Sequence, residues 1–168
     1  MASIIGVNEI QHTNGTTAVE IDSNGYLIHA KKPYVSADMS QTTGTNVYTT
    51  IAANTIIPFG TVYDGDSSLL NTTTYKFQCP VDGIYMIAYG THSNTTGQSH
   101  HVMRNNDIFN TTYENDANTL TNTAVIRCDA NDEIWLQNFN TAKGYYNGGG
   151  NSLTSITRYT YAHFALIG

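Results

Sequence analysis

The sequence predicts an all-β chain: a jelly-roll β-sandwich of two antiparallel sheets, preceded by a short N-terminal β arm. Composition gives the first reason. Thr (25) and Asn (18) make up about a quarter of the 168 residues; Thr suits the half-buried surface of a strand, and Asn tolerates turn dihedrals. Turn signals give the second. They fall at Asn14-Gly15, Asn24-Gly25, Asp64-Gly65, Asp82-Gly83, Lys143-Gly144 and from Asn147 to Gly150, with short β-type runs between them. The third is negative: no window keeps apolar residues at helical spacing over several turns.

Taken in order, residues 17–22 alternate apolar and polar, and Ser23-Asn24-Gly25 then turns the chain into Tyr26-Leu27-Ile28. That pattern is a hairpin. Lys31-Lys32-Pro33 reads as a junction, because Pro33 restricts Lys32 and breaks any ladder. It separates an N-terminal arm, 1–32, from a β domain, 33–168. The strands expected in the domain are Tyr34–Met39, Ile56–Tyr63, Tyr75–Cys79, Gly83–Gly90, His101–Asn105, Thr123–Cys128, Glu133–Asn138 and Thr157–Ile167. About eight strands match a double-sheet jelly roll.

Charge excludes several functions. The chain is 12% charged with a net charge of −6, about half the usual charged fraction of ~25%. Its seven Lys and Arg residues, spread from Lys31 to Arg158, form no stripe able to neutralise a phosphate backbone, so no nucleic-acid partner is expected. The longest apolar run, around Ile84–Ala88, falls far short of a bilayer span, and no membrane partner is expected. The first residues show neither a basic n-region nor a sustained apolar h-region, so no secretory signal is read. Cys79 and Cys128 permit one disulfide or two free thiols facing a core. Gly-x-Ser-x-Gly, His-Glu-x-x-His and the P-loop are absent, and no spacing ties Ser, His and Asp together; no catalytic residue is assigned and no enzyme is expected.

Residues 59–89 resemble the globular head of complement component 1q, in the jelly-roll superfamily shared with tumour necrosis factor. The residues that carry the resemblance are Phe59, Gly65, Leu70, Phe77, Gly83, Tyr85, Ile87 and Tyr89, at the family's spacing. Two positions depart from it: Gly65 stands where Asn or Asp is usual, and Ile87 replaces a Phe. Asn131 to Gln137, containing Trp135, is similar to the family's Gly-Asp-x-Val-Trp-Leu strand. Tyr161 to Ile167, containing Phe164, resembles its closing strand, and Tyr34 to Ala37 its opening one. The resemblance implies a homotrimer around a three-fold axis. In Tyr85-Met86-Ile87-Ala88-Tyr89 alternate residues face opposite sides of a sheet, and both sides are apolar. Tyr85, Ile87 and Tyr89 are therefore assigned to the core, and Ile84, Met86 and Ala88 to the trimer interface or a covering strand.

Metal is weighed at two places. Asp64-Gly65-Asp66-Ser67-Ser68 clusters oxygen ligands of the kind Ca²⁺ takes, but Tyr75 stands where a calcium loop would need a bidentate Glu, so a solvated turn is the preferred reading. His100 and His101 point to opposite faces of a strand and cannot chelate one ion within a chain; one of them could do so across a three-fold axis. Some complement-1q-like heads hold Ca²⁺ near that axis, yet no ligand residue matches here. No cofactor and no metal residue is assigned, with Ca²⁺ the one alternative. The sequons at Asn14, Asn71, Asn94 and Asn110 are read as accidents of an Asn- and Thr-rich chain. The segment Lys143–Asn151 reads as an exposed loop whose Tyr145 and Tyr146 are candidates for stacking on a glycan.

A small β arm leading into such a head looks like the virion proteins of tailed bacteriophages, where the head decorates capsids or ends tail fibres. The chain therefore reads as a non-enzymatic decoration (cement) protein at the virion surface, made in the host cytoplasm. Its partners would be its own copies and the major capsid protein, with Ile4, Ile5, Val7 and Ile10 as the capsid anchor. The alternatives are an adhesin at a tail-fibre tip that binds a host surface glycan, and a bacterial complement-1q-like ligand or surface protein.

Overall fold

The computed structural model describes residues 9–11, 17–21, 23–25, 27–29, 32–39, 48–139, 141–146 and 160–168. The chain separates into two units, 1–32 and 33–168. In the first, β1 (Glu9–Gln11), β2 (Thr17–Ile21) and β3 (Leu27–His29) form an antiparallel sheet in that order. Gly25, at φ +84°, supplies the left-handed turn before β3. Ile10 lies in β1 opposite Val19, whereas Ile4, Ile5 and Val7 lie outside the described residues.

The second unit is built from thirteen strands. They are β4 (Tyr34–Met39), β5 (Tyr48–Ile51), β6 (Thr55–Ile56), β7 (Phe59–Gly65), β8 (Leu70–Asn71), β9 (Lys76–Gln78), β10 (Gly83–His92), β11 (Gln98–Arg104), β12 (Asp107–Glu114), β13 (Thr119–Cys128), β14 (Glu133–Asn138), β15 (Lys143–Tyr146) and β16 (Tyr161–Leu166). Among the described residues the only helical piece is a single 3-10 turn, Ser67–Leu69, capped by Asp66. One sheet has the order β13-β10-β16-β4-β7 and the other β12-β11-β14-β9-β8, with β6 also pairing β14; β15 and β5 form a separate ribbon. All pairings are antiparallel, as the jelly-roll reading expected.

The expected strand Ile56–Tyr63 is two strands in two different sheets. Between them Ile57-Pro58 carries the chain across the sandwich, since Pro58 has no N–H to continue a ladder. Four strands were not anticipated, the two-residue β8 among them. β12 is entered through Asn105-Asn106, at φ +49° and +76°, the left-handed pair of a two-residue hairpin turn. β15 lies where the sequence suggested a loop, and β5 where no strand was expected.

The core between the sheets takes Phe59, Leu70, Phe77, Tyr85, Ile87, Tyr89 and Phe164, all buried. Phe77 of one sheet stacks on Phe164 of the other, centroids 5.0 Å apart and planes 4° apart, with Tyr85 edge-on to Phe77 at 5.7 Å. These rings join the two layers. Gly65 has φ +88°, and a Cβ there would strike the Tyr34 carbonyl. This left-handed backbone is one that Gly, Asn and Asp share, and the close approach of Tyr34 selects Gly. Gly83 opens β10 with the Leu166 side chain against it, again leaving no room for a Cβ.

Trp135 requires a correction. It is buried but lies outside the core cluster, because Ile134 and Leu136 on either side point inward and alternation turns Trp135 to the opposite face. There Lys76 Nζ sits 4.3 Å above its ring while bonded to Glu133 at 2.7 Å. The long Lys stem shields the indole from water. Cys79 and Cys128 are free and buried, and burial raises both thiols above their ordinary range.

Replacing Phe77 with Ala should cost about 3–5 kcal/mol, because it removes the ring that joins the sheets. Urea unfolding followed by far-UV circular dichroism would show this as a lowered midpoint at unchanged slope.

Candidate functional site

The outward face of the five-stranded sheet is the candidate site. Alternation along β10 sends Ile84, Met86, Ala88, Gly90 and His92 outward, and the register supplies their neighbours. Met86 lies between Val125 and Ala165, with Tyr34 beyond; Ala88 lies between Thr123 and His163, with Ser36 beyond; Gly90 lies between Thr121 and Tyr161, with Asp38 beyond. The face is thus graded. Its first rows are mostly apolar, with Ile84 41%, Val125 53%, Tyr34 42% and Ile167 43% exposed, and one exposed cation, Arg127, opposite Ile84. Exposed apolar side chains gathered on one sheet face form a patch of the kind at which another surface docks. Ile84, Met86 and Ala88 lie where the sequence reading put them, on the face opposite the core.

The farther rows are polar. His163 Nδ1 is 2.8 Å from Ser36 Oγ, and the Tyr63 hydroxyl is 3.4 Å from the ring. The Tyr161 ring lies over Gly90, where any Cβ would meet it at 2.7 Å. Ala88, Thr121, Thr123, Tyr161 and His163 line a groove of about 470 Å³. At the end of the face His92 Nδ1 lies 3.1 Å from Thr119 Oγ1. Its ring meets Tyr146 at 4.9 Å, and Tyr146 meets Tyr48 at 3.7 Å. Tyr48 is partly exposed, and the hydrogen bond with Tyr146 pushes its phenol up to about 12. The sequence reading gave no role to Tyr34, Val125, Ile167 or Tyr48. Only the register of β10 with its neighbours brings the first three beside Met86 and Ile84.

Tyr145 is not a loop tip. β15 pairs with β5, and Tyr145 is fully buried, its hydroxyl donating to Asn138 Oδ1 at 2.7 Å and lying 2.9 Å from His100 Nε2. A ring held inside the sandwich cannot stack on a glycan; Tyr146, its neighbour on the strand, faces outward as alternation requires. The two histidines weighed as ligands across a three-fold axis are both buried. His100 is buried against Tyr145, and His101 stacks on Phe139 at 4.1 Å on the outside of the other sheet.

The carboxylates of Asp64 and Asp66 serve their own turn. Asp64 Oδ1 accepts from Gly65 N at 2.9 Å and from the Tyr34 hydroxyl at 3.2 Å. Asp66 Oδ1 accepts from Ser68 N at 3.0 Å and Ser68 Oγ at 2.7 Å. Among the described residues no three His, Cys, Asp or Glu side chains gather as a metal set.

A two-sheet antiparallel sandwich with one graded, open sheet face defines the class: a jelly-roll module. A family model for the C1q domain matches residues 40–157, and the chain belongs to that family. Its domains are typically trimeric ligand-binding modules without enzymatic activity. Among solved structures it is similar to the globular domain of zebrafish complement 1qA protein, at 15% identity and TM-score 0.60, covering 82% of this chain and 98% of that one. It is also similar to murine APRIL, at 11% identity and TM-score 0.57, covering 82% and 100%. Eiger TNF from S. frugiperda matches at 10% identity and TM-score 0.56, covering 82% and 93%. At these identities the likeness is one of fold. No curated protein sequence matches the chain.

The His100 environment gives a pH dependence. Burial, with a smaller contribution from His101, lowers its pKa to about 3, whereas an unfolded His titrates near ~6.5. The unfolded state therefore binds the extra proton between these values. The stability contributed by neutral His100 is complete above pH 6.5 and is lost as pH falls toward 3, at about 1.4 kcal/mol per pH unit. Urea titrations between about pH 6.5 and 5 should show this slope in the native chain and a flatter one in His100→Phe.

Proposed function

We propose that the chain is a homotrimeric, non-enzymatic structural protein that decorates and reinforces the capsid of a tailed bacteriophage, at the virion surface. The observation that carries the reading is the open apolar end of the sheet face, around Ile84, Met86, Val125 and Tyr34, on a chain otherwise poor in charge. Three copies gathered through this face would bury the patch that a lone copy exposes. A ring closed by a three-fold axis is heterologous, so the face needs a second surface on the neighbouring copy. The edge strand β12, with Ile108, Phe109 and Tyr113 exposed, is suited to that part. Residues 1–32 would then dock on the major capsid protein, with Ile4, Ile5, Val7 and Ile10 as the anchor. Binding only the assembled shell stabilises it by mass action.

The outward shelf of Tyr48, Tyr146 and His92 favours a second reading, an adhesin that stacks a host surface glycan on these rings. The two readings separate by experiment. Light scattering should give three times the 18.4 kDa subunit mass, and Met86→Lys with Val125→Lys should give a monomer with unchanged circular dichroism; a monomeric native chain would remove the trimer. Deleting residues 1–32 should leave a soluble trimer that no longer sediments with empty shells. Retained attachment would remove the anchor, and loss of cell binding in Tyr146→Ala would favour the adhesin.

A further inference from the structure

Two inward-facing residues at the start of β11 each keep one polar atom without a hydrogen-bond partner among the described residues. Gln98 and His100 are two apart on the strand, so both side chains leave the same face, into the sandwich, and both residues are fully buried. Gln98 Oε1 accepts from Thr91 Oγ1 at 2.7 Å, while its Nε2 has no partner. His100 Nε2 lies 2.9 Å from the Tyr145 hydroxyl, while its Nδ1 has no partner.

The hydrogen positions follow from the far end of this chain of contacts. Asn138 Nδ2 faces three backbone carbonyls, of Ile51 at 3.1 Å, Ala52 at 3.0 Å and Thr141 at 2.9 Å. Carbonyls only accept, so the amide nitrogen belongs there and Oδ1 faces Tyr145. Tyr145 has one hydroxyl hydrogen and gives it to Oδ1 at 2.7 Å. Its oxygen is left to accept, so His100 Nε2 carries the hydrogen that meets it. A neutral imidazole then has a bare lone pair at Nδ1. The two orphaned atoms are therefore complementary, an amide donor at Gln98 and an imidazole acceptor at His100.

We propose that one buried water bridges Gln98 Nε2 and His100 Nδ1. It accepts from the amide and donates to the ring, completing a chain Thr91–Gln98–water–His100–Tyr145–Asn138 that pins β15 and β5 to the sandwich. Water is the ligand this pair selects because it gives and takes a hydrogen bond at once. A cation would suit Nδ1 and be repelled by the amide hydrogens, and an anion would meet the reverse. Buried waters of this kind are held by otherwise unpaired polar groups. The inference is independent of any role at a capsid.

The test uses the intact native chain. Long-range ¹H–¹⁵N correlation at neutral pH should show His100 protonated at Nε2 alone. A high-resolution crystal structure should show an ordered water within hydrogen-bonding distance of both atoms, and the Gln98 side-chain amide should show a cross-relaxation peak to a long-lived water. In Gln98→Leu the ordered water should be lost from the crystal structure while His100 keeps its Nε2 proton. A His100 ring protonated at Nδ1, or a dry site with Gln98 and His100 in direct contact, would overturn the proposal.

Discussion

Strand β10 runs Gly83–His92 without a Lys, Arg, Asp or Glu, and it is hydrogen-bonded on both edges, to β13 and β16. A strand so placed must find apolar or neutral company on both faces. Inward, Tyr85, Ile87 and Tyr89 meet the rings and aliphatics of the opposite sheet. Outward, Ile84 and Met86 collect Val125, Ala165 and Tyr34 from the flanking strands by register alone. A shift by one residue would exchange the two sets and put Ile84 and Met86 among the core rings. The core packing that fixes the register therefore also decides which residues are displayed.

The interior changes character along its length. Near the ends of β9 and β13 it is aromatic and apolar, with Phe77, Phe164 and the two thiols. At the other end it holds Thr91, Gln98, His100 and Asn138, all fully buried, with the Tyr145 hydroxyl among them. Buried polar groups are tolerable only when paired, and a single defect among them costs more than the loss of an exposed bond. Asn138 shows the device in small: one side chain closes backbone carbonyls of β5, of the following segment and of Thr141, groups that a sheet ladder would otherwise satisfy. This polar end is what lets a two-stranded ribbon, too short to be stable alone, sit against the sandwich with Tyr146 and Tyr48 facing out.

Much of this was legible because alternation is a local signal. Tyr85, Ile87 and Tyr89 could be assigned from alternation, Phe59, Phe77 and Gly83 from the family resemblance, and β4 and β14 have the expected bounds. Alternation also misled where a second layer was invisible. Trp135 is buried, as a lone Trp in a polar chain suggests, but beneath Lys76 and Glu133, far away in sequence from each other and on the outer face. Tyr145 looked like a loop residue because Gly144 and the glycines after Asn147 flank it. Its burial depends on β5, whose Thr-rich sequence carries no apolar pattern. β12 could have been read from Asn105-Asn106, since two consecutive Asn residues suit left-handed turn positions; its own exposed, polar residues gave no core face to recognise.

The grading of the open face bears on how copies would meet across it. Ile84 and Met86 lie near Gly168, for Ile84 N donates to the Gly168 carbonyl, and Leu166 N donates to Pro33 O nearby. Apolar contact there would be dry and would carry most of the association, since burial of such side chains is the strong, non-directional term. Farther along, His163, Ser36, Tyr63, Thr121 and Thr123 offer hydroxyls and an imidazole around an open groove. A seam over these groups would retain bridging water and depend on hydrogen-bond geometry for its specificity. The face carries charges of both signs, Arg127 opposite Ile84 and Asp64 and Asp38 on its farther strands, so copies could approach without the mutual repulsion that a like-charged surface imposes. A dry, apolar end would then supply affinity, while the wet, polar end would fix the rotation of one copy against the next.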